Sequence, residues 1–408
     1  MNRKQFTLLI ALVIVVGGLG LMMNAKKQAT WQRGSTGAGG KLLAGFDYNA
    51  VASLTIKSAS NEVTLAKREE GWRVKERGEY PANFSTLADF LRKAADLKIV
   101  QSEPIGASQF ERMELNQPGK GAGAGTLVEF RDKDGKPLRT LVLGKKQMKK
   151  SEGGSPFGGG EWPVGRWVMD LKDTANVSLV SDALSDIEPN ASHWLDKEFF
   201  KVEKVRSVAV AHTNPTNSWK LTRDADAGEW KLADAKAGEQ PLDPAKANAI
   251  GNPFSFPSFA DVVAADAKPA DTGLDQPTVV TIETADKLTY TMKVGAKSGE
   301  DNLHLAMTVK ADLAAKREPA KDEKPEDKDR LDKEFAESQK KLQEKLAAEK
   351  KFERYAFLVS KWTVDAVLKN RAELLAEKKE EPKPEVKSDE PLPGTAAPKA
   401  ESPKATPK

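Results

Sequence analysis

One short motif occurs twice in this chain and constrains its architecture more than any other feature. Leu-Asn-Gln-Pro at 115–118 recurs as Leu-Asp-Gln-Pro at 274–277, 159 positions further along. A proline ends the segment before it and holds the preceding residue extended, so the motif is typical of a corner. We interpret it as a structural corner that occurs once in each of two similar units. The alternative is a ligand-binding role for its polar side chains, which are Asn116, Gln117, Asp275 and Gln276.

Alternating apolar residues typical of β-strands surround both copies of the motif in the same order. Before the motif, a strand pair carries Trp72 in one unit and Trp230 in the other. After the motif, a second strand pair ends near Gly144 or near Gly295. The matched apolar positions are Phe46, Val51, Leu54, Ile56, Val128 and Phe130 in the first unit, and Phe200, Val205, Val208, Val210, Val280 and Ile282 in the second.

The fold class that this order predicts is α+β, with two tandem duplicated units of antiparallel sheet and packed helices. We place the first unit at residues 41–198 and the second at 199–378. A helix with a proline near its start follows the first strand pair in both units. In the first unit, Asn83 or Ser85 can cap this helix. Its buried stripe is predicted to be Leu87, Leu91 and Ala94.

A closing helix is predicted at the end of each unit, over 177–187 and 364–378. The prediction rests on apolar residues at helical spacing. These residues are Val177, Val180, Leu184 and Ile187 in the first unit, and Val364, Val367, Leu368 and Leu375 in the second.

A charged helical insert at 310–352 distinguishes the second unit. Its apolar residues recur at spacings of four, seven and four, which is typical of a short coiled-coil seam or a helical hairpin. They are Leu331, Phe335, Leu342 and Leu346. The insert is predicted to replace the hairpin tip that the first unit forms with the glycine-rich segment 148–165. It either folds back on its own sheet or serves as a docking arm for a partner.

The amino terminus predicts a membrane anchor over residues 1–23. Phe6 to Met23 form an uncharged run of 18 residues, which as a helix spans roughly 27 Å, enough for the hydrocarbon core. A cleaved signal peptide is the alternative, but Met23 fits poorly at position −3 of a cleavage site ending at Ala25. Residues 24–40 are expected to be a flexible spacer. The short leader favours a single pass through the cytoplasmic membrane, with the bulk of the chain outside the cytoplasm in the periplasm.

The composition of the chain predicts a disordered tail and argues against several kinds of partner and site. Residues 379–408 are rich in proline, lysine and glutamate and are predicted to be disordered. The formal net charge is +4, from 64 basic and 60 acidic residues, and this balance argues against a nucleic-acid partner. The absence of cysteine excludes disulfides, thiolate metal sites and cysteine nucleophiles.

Sequence motifs for catalysis are weak throughout the chain. The three histidines, His193, His212 and His304, lack metal-ligand spacing. The segments 132–136 and 224–228 resemble calcium loops, but hairpin turns are the simpler interpretation. Trp72 and Trp230 can be sugar-stacking residues or core anchors, and the repeat favours the core. We therefore predict no catalytic, cofactor-binding or metal residues, no cofactor, and a protein that is not an enzyme.

A family resemblance rests on the order "EGWRV", proline-led helix, "ELNQPG", "LVLGKK", "RWVMDL" and "WLDKEFFKVEKVRSV". This order resembles a bacterial domain-of-unknown-function family that is found beside gliding-motility-type ABC transporter auxiliary proteins. The likeness covers about 41–378. A more diverged second copy carries "GEWKL", "TGLDQP", "KVGAKS", "RYAFLV" and "LKNRAELL", and departs in its short helix and its insert. The resemblance implies a membrane-tethered extracytoplasmic protein that works with an ABC-2-type export or surface machine.

Three functions are consistent with these observations. The first is a non-enzymatic accessory or scaffold protein of a membrane complex, with protein partners in a transporter-like assembly. The second is an extracytoplasmic module that binds a glycan or polymer through aromatic residues such as Trp162 and Trp167. The third is a hydrolase whose carboxylates converge from both units.

Overall fold

The computed structural model describes residues 39–150, 160–226, 228–319 and 323–377. The predicted anchor and tail, most of the spacer, and the tip of the glycine-rich hairpin lie outside these residues. Within the part of the chain that is described, no helix is both long and apolar enough to cross a membrane.

The first sheet has nine strands, and every neighbouring pair is antiparallel. They are β1 (Ser53–Lys57), β2 (Glu62–Arg68), β3 (Gly71–Val74), β4 (Tyr80–Pro81), β5 (Ile99–Pro104), β6 (Thr126–Arg131), β7 (Pro137–Lys150), β8 (Glu161–Asp170) and β9 (Asn176–Val180). Their order across the sheet is β4-β3-β2-β1-β6-β7-β8-β9-β5.

The second sheet has eight strands, which are also antiparallel throughout. They are β10 (Val205–Ala211), β11 (Trp219–Thr222), β12 (Lys231–Leu232), β13 (Phe259–Val262), β14 (Thr278–Thr284), β15 (Leu288–Ser298), β16 (Asn302–Ala311) and β17 (Ala356–Ser360). The order is β12-β11-β10-β14-β15-β16-β17-β13. The architecture is therefore α+β and dominated by two antiparallel sheets.

The two sheets have the same strand order apart from the short edge strand β4, which has no counterpart in the described part of the second unit. Their central strands also pair in the same register. The paired triplets are Leu65–Leu54–Phe130 in the first sheet and Leu221–Val208–Ile282 in the second. All six side chains are completely buried, because alternate residues of each strand face the core.

The two tryptophans occupy matching register positions. Trp72 lies two residues before Val74 and Trp230 lies two residues before Leu232. Val74 and Leu232 each pair with the outer leucine of the triplet in their own sheet. Trp72 lies within β3, whereas Trp230 immediately precedes β12. Both indole rings are buried, so they act as core anchors.

The principal helix of the first unit forms as predicted. Helix α1 (Phe84–Asp96) begins after Asn83, whose side-chain oxygen accepts a hydrogen bond from the Thr86 N–H at 3.1 Å. Its buried face contains the predicted stripe together with Phe90, and those residues are Leu87, Phe90, Leu91 and Ala94. The corresponding helix of the second unit, α2 (Pro244–Ile250), has seven residues and is capped by Asp243.

The predicted closing helices are wrong in both units. Residues 176–180 form strand β9, which lies between β8 and β5, and Leu184 has a φ of 48°, which no α-helix accepts. In the second unit, helix α5 (Lys361–Val364) has four residues, and 371–374 form a 3₁₀ turn. In the first unit the four apolar residues are buried in a strand and a loop, and in the second unit Val364 alone of the four lies in a helix. Their spacing is therefore compatible with a closing helix without requiring one.

The predicted position of the insert is also wrong. The second unit closes the β15–β16 hairpin with a short turn at Gly299. The insert instead connects β16 to β17 and contains one long helix, α4 (Lys328–Lys350). A short helix, α3 (Pro269–Thr272), precedes the second copy of the motif. In the first unit, residues 171–175 make the connection that corresponds to the insert.

Most of the buried side chains of the two sheets belong to one continuous hydrophobic cluster. Leu342, Leu346 and Phe352 of the insert pack against it. A smaller cluster lies on the other face of the first sheet around Leu115 and Val142. The shared cluster means that the two units pack against each other through apolar surface.

Candidate functional site

The repeated motif forms a packed corner in the first unit. Leu115 is completely buried in the smaller cluster and lies against Gly144 of β7. A Cβ atom placed on Gly144 would lie 2.7 Å from Leu115 Cδ2 and 2.5 Å from the Met113 carbonyl oxygen. In the second unit, a Cβ atom on Gly295 would lie 3.1 Å from Leu274 Cδ2. The leucine of each motif therefore covers a glycine in the following strand pair.

The polar residues of the motif also have structural surroundings in the first unit. The Asn116 amide donates to the Ala122 carbonyl at 2.6 Å, and the Gln117 carbonyl accepts from the Lys120 N–H. These bonds hold the glycine-rich segment 119–125 against the corner. In the second unit Asp275 and Gln276 are exposed, and they lie far along the chain from the first pair. The structure gives no common binding geometry to the two copies.

The three histidines lie apart, each in its own local setting. His193 packs edge-on against Trp194, with ring centroids 5.1 Å apart. His212 Nε2 lies 3.2 Å from the Lys369 carbonyl, and His304 Nδ1 lies 2.8 Å from the Ala296 carbonyl. Among the described residues, no group of histidine, aspartate and glutamate side chains is arranged to hold a metal ion.

The calcium-like segment at 132–136 is a hairpin turn between β6 and β7. Asp132 Oδ1 accepts hydrogen bonds from the Asp134 and Lys136 N–H groups at 3.0 and 2.9 Å, and Gly135 has a φ of 78°. This aspartate therefore satisfies the turn's own backbone. In the segment at 224–228, Asp224 forms an exposed ion pair with Lys231 at 2.8 Å.

The hairpin tryptophans do not form a common surface. Trp162 is 45% exposed, but Trp167 is half-buried and packs against the smaller cluster.

The junction between the two units brings charged and aromatic side chains from both sheets into contact. Arg77, just beyond β3, donates two hydrogen bonds of 2.8 Å to both carboxylate oxygens of Asp261 in β13. Both side chains are only 20% exposed. Lys197, in the segment between the sheets, donates to the Ala260 carbonyl at 2.9 Å and lies over the Phe259 ring. A planar two-bond arginine–carboxylate pair fixes orientation as well as distance.

An aromatic cluster forms the floor of this junction. Tyr80 of the first unit packs edge-on against Tyr355, with centroids 4.8 Å apart, and against Phe259 at 5.7 Å. The Tyr355 hydroxyl donates back to the Glu79 carbonyl at 3.3 Å. Phe199, between the sheets, packs 4.7 Å from Phe357. Edge-to-face aromatic pairs add to the stability that burial alone provides.

A cleft of about 720 Å³ opens above this floor. Its aromatic walls are Tyr80, Phe199, Phe352 and Tyr355, and its rim carries four acidic and five basic side chains. A larger concavity of about 840 Å³ lies over β1 and β2 beside the turn at 132–135, but the first unit alone lines it. We take the cleft as the candidate functional site because both units and the insert contribute to it.

Burial and hydrogen bonding shift the pKa of four groups at the junction. Burial, reinforced by the Asp196 carboxylate, raises the pKa of the Tyr80 phenol. Burial also raises the pKa of Tyr355 and lowers that of Lys197. The hydrogen bonds that Arg77 donates to the Asp261 carboxylate raise the pKa of Arg77. The phenols therefore stay protonated. The site offers aromatic stacking surfaces, with neutral and positively charged hydrogen-bond donors.

Sequence reasoning did not find this cleft, because its residues come from segments that lie nearly 300 positions apart. One local signal was present. The segment that joins the units contains Phe199 and Phe200, and two adjacent large aromatic residues are unusual in a flexible linker. Phe200 is in fact 1% exposed, so the joining segment is part of the core.

The fold and site thus define an α+β protein of two joined antiparallel sheets with an aromatic cleft between them. Comparison with protein families matches residues 72–277 to a family described as "Domain of unknown function (DUF4340)". The match covers half of the 408-residue chain, and the chain belongs to this family. No curated protein matches, and no solved structure matches. The matched range crosses the junction, from Trp72 in β3 to Pro277 before β14.

Proposed function

We propose that this protein is a non-enzymatic, membrane-anchored extracytoplasmic scaffold of an ABC-2-type transporter or cell-surface machine. The observation that carries the proposal is the set of ionic and aromatic contacts that joins the two sheets at the junction. Arg77 and Tyr80 of the first unit are held by Asp261 and the aromatic cluster of the second. Sheets joined in this way form one stiff body, as a protein that holds partners at a fixed separation requires.

The sequence supports the membrane location. The uncharged run at 6–23 is long enough to cross the hydrocarbon core as a helix. The polar segment that follows provides a spacer before Gly39, where the described residues begin. We therefore place one membrane pass at the amino terminus and both sheets on the periplasmic side.

We further infer that the two units arose by internal duplication. The shared strand order, the matching triplets and the two leucine–glycine corners support this. The helical insert is then an addition to the second copy. It provides a surface that the first copy lacks, and the exposed face of α4 is our candidate for partner contact.

Site-specific crosslinking in native membranes tests the scaffold proposal. A photoreactive amino acid at Lys340, whose side chain is 79% exposed on α4, is expected to capture a subunit of an ABC-2-type transporter. A matched probe at Lys57, 44% exposed on the first sheet, serves as the control for random capture. Capture of the same proteins at both positions, without a transporter subunit, would contradict the proposal.

Binding of an extracytoplasmic glycan or polymer is the second candidate, and the aromatic walls of the cleft favour it. Tyrosine and phenylalanine faces stack on sugar rings, and a rim of mixed charge offers hydrogen bonds. Titration with cell-envelope polysaccharide fragments tests this function. Binding that Tyr355→Ala weakens about fivefold or more would support it, since one stacked ring contributes on the order of 1 kcal/mol or more. Equal binding by Trp162→Ala and Tyr355→Ala variants would point away from the cleft.

A further inference from the structure

The β7–β8 hairpin extends well beyond the rest of the first sheet. On β7, pairing with β6 ends at Leu143, and on β8, pairing with β9 ends at Arg166. Beyond these points β7 and β8 pair with each other as far as Lys150 and Glu161. The five steps from Arg166 to Glu161 give a projection of about 17 Å. We call residues 145–150 and 161–165 the basic arm.

The arm combines positive charge with exposed apolar side chains. All six residues at 145–150 are exposed, and four of them are lysines, namely Lys145, Lys146, Lys149 and Lys150. Glu161 is the single acidic residue of the arm, and it pairs with Lys150 at 3.3 Å. The large apolar residues of the arm are 41–45% exposed, and they are Met148, Trp162 and Val164.

This combination matches the chemistry of an anionic membrane surface. Lysines near such a surface are attracted to acidic headgroups, with each contributing about fivefold in binding. Tryptophan prefers the boundary between headgroups and acyl chains, because its ring is apolar and its N–H is polar. An acidic protein segment would satisfy the lysines but would leave the exposed apolar side chains unexplained.

The arm projects from the same end of the sheet at which the chain enters. Gly39 donates a hydrogen bond to the Ile99 carbonyl at 2.8 Å. Ile99 pairs with Val180, and Val180 pairs with Arg166, the residue at which the arm begins. These residues form one row across three strands, so Gly39 lies about 14 Å from β8. Fifteen residues separate Gly39 from the uncharged run, and a chain of that length reaches at most about 50 Å.

We propose that the basic arm binds the anionic lipid headgroups of the membrane that anchors the chain. The inference rests on the membrane anchor of the proposed function, and it adds the orientation of the first sheet relative to the bilayer. The amino-terminal segment and the arm make two contacts with one bilayer. The first sheet then stands with the Gly39 end toward the lipid and the turn at 132–135 away from it.

The experiment uses the full chain, which has no native cysteine, so that a single label reports one position. An environment-sensitive fluorophore is attached to Met148→Cys on the arm, or to Lys133→Cys in the turn at the opposite end. Each protein is reconstituted into phosphatidylcholine vesicles with or without phosphatidylglycerol. The label at Met148→Cys is expected to brighten about twofold or more with phosphatidylglycerol and to lose this change in high salt. The label at Lys133→Cys should not respond.

Charge-reversal variants distinguish lipid binding by the arm from a nonspecific attraction between the whole protein and anionic vesicles. Lys146→Glu combined with Lys149→Glu should weaken the lipid response at least tenfold. The matched reversal of Lys133 and Lys136 changes the net charge equally and should leave the response intact. Equal signals in both vesicle types would overturn the proposal. A response that requires an added membrane protein would also overturn it, in favour of an acidic protein segment.

Alkaline extraction distinguishes failure of the arm from failure of the anchor. A chain that resists extraction but shows no lipid response retains the anchor and overturns the arm. A chain that alkali removes, yet binds phosphatidylglycerol vesicles in low salt, supports the arm and contradicts the anchor. A chain that binds neither kind of vesicle contradicts both.

Discussion

Leu115 lies directly over Gly144, so closely that a Cβ atom on the glycine would come within 2.7 Å of Leu115 Cδ2. The same relationship links Leu274 and Gly295 in the second sheet, at 3.1 Å. The leucine of the repeated motif and the glycine about two strands later therefore act as one structural unit. This contact explains the motif without a ligand, because its proline turns the chain at the point where the leucine must cover the strand.

Adding a methyl group at either glycine should destabilise the protein. At Gly144 the new atom would meet the Met113 carbonyl at 2.5 Å, and at Gly295 it would meet the Thr272 carbonyl at 2.2 Å. We expect Gly144→Ala and Gly295→Ala each to lower the free energy of unfolding by about 1–3 kcal/mol. Gly160→Ala is the control, since no atom of the described residues lies within 4 Å of its Cβ position. Denaturant titration measures all three, and a neutral Gly144→Ala would contradict the corner.

The Arg77–Asp261 pair should couple the two sheets energetically. A double-mutant cycle with Arg77→Ala and Asp261→Ala is expected to give a coupling energy of about 1–3 kcal/mol, because the pair is mostly buried and makes two charged hydrogen bonds. The cross-strand pair Lys57–Glu62, whose side chains are 44% and 45% exposed, should give less than about 1 kcal/mol. Equal coupling energies in the two cycles would show that the junction pair contributes no special stability.

The two halves of α4 should differ in their contribution to stability. Leu342 and Leu346 pack against the shared core, whereas Leu331 and Phe335 are half-buried outside that cluster. We expect Leu342→Ala and Leu346→Ala to cost about 1–2 kcal/mol each. Leu331→Ala and Phe335→Ala should cost less than about 1 kcal/mol each. Thermal unfolding compares the four variants, and a larger loss in the first half of the helix would reverse this assignment.

The free energy of unfolding should decrease at alkaline pH, because Tyr290 is buried in the folded protein. Burial, together with a 2.7 Å hydrogen bond to Glu349, raises the pKa of Tyr290. The folded protein therefore keeps a proton that the unfolded chain releases above about pH 10. The associated stabilisation is complete below that pH and is lost as the pH rises further. Tyr290→Phe should flatten the decline above pH 10 by about 1.4 kcal/mol per pH unit. Denaturant titrations over this range test the slope, and parallel curves for variant and parent would contradict it.

The same substitution should destabilise the protein at neutral pH. Glu349 is 6% exposed and also accepts a hydrogen bond from the Lys201 N–H at 3.1 Å. Loss of the phenol donor leaves a buried carboxylate with fewer partners, at a cost of about 1–3 kcal/mol. A Tyr355→Phe variant, which loses a longer 3.3 Å bond to a backbone carbonyl, is the comparison and should lose less.

Much of the sheet architecture could be predicted from the sequence, because strand alternation is a local signal and the same order of apolar positions occurs in both units. This order placed Leu54 and Val208 at matching positions, and the structure gives them matching partners. The buried stripe of α1 was predicted for the same reason, since helical periodicity and an asparagine cap coincide there.

The errors came from segments whose conformation depends on distant partners. Val177 and Val180 fit a helical face, but pairing with β5 and β8 makes them a strand. β-Branched valines also suit a strand between two neighbours. The insert was assigned to the wrong connection because composition alone does not show which two strands flank it. The cleft was missed because Tyr80 and Tyr355 meet only when the sheets are joined.

The most direct test of the proposed function is protease treatment of intact spheroplasts, with detection of the chain in the alkali-resistant membrane fraction. A membrane-anchored extracytoplasmic scaffold predicts that the full-length chain stays in that fraction and that added protease degrades both sheets. A chain that alkali releases, or sheets that survive protease until the spheroplasts are lysed, would contradict the anchor or the orientation, respectively.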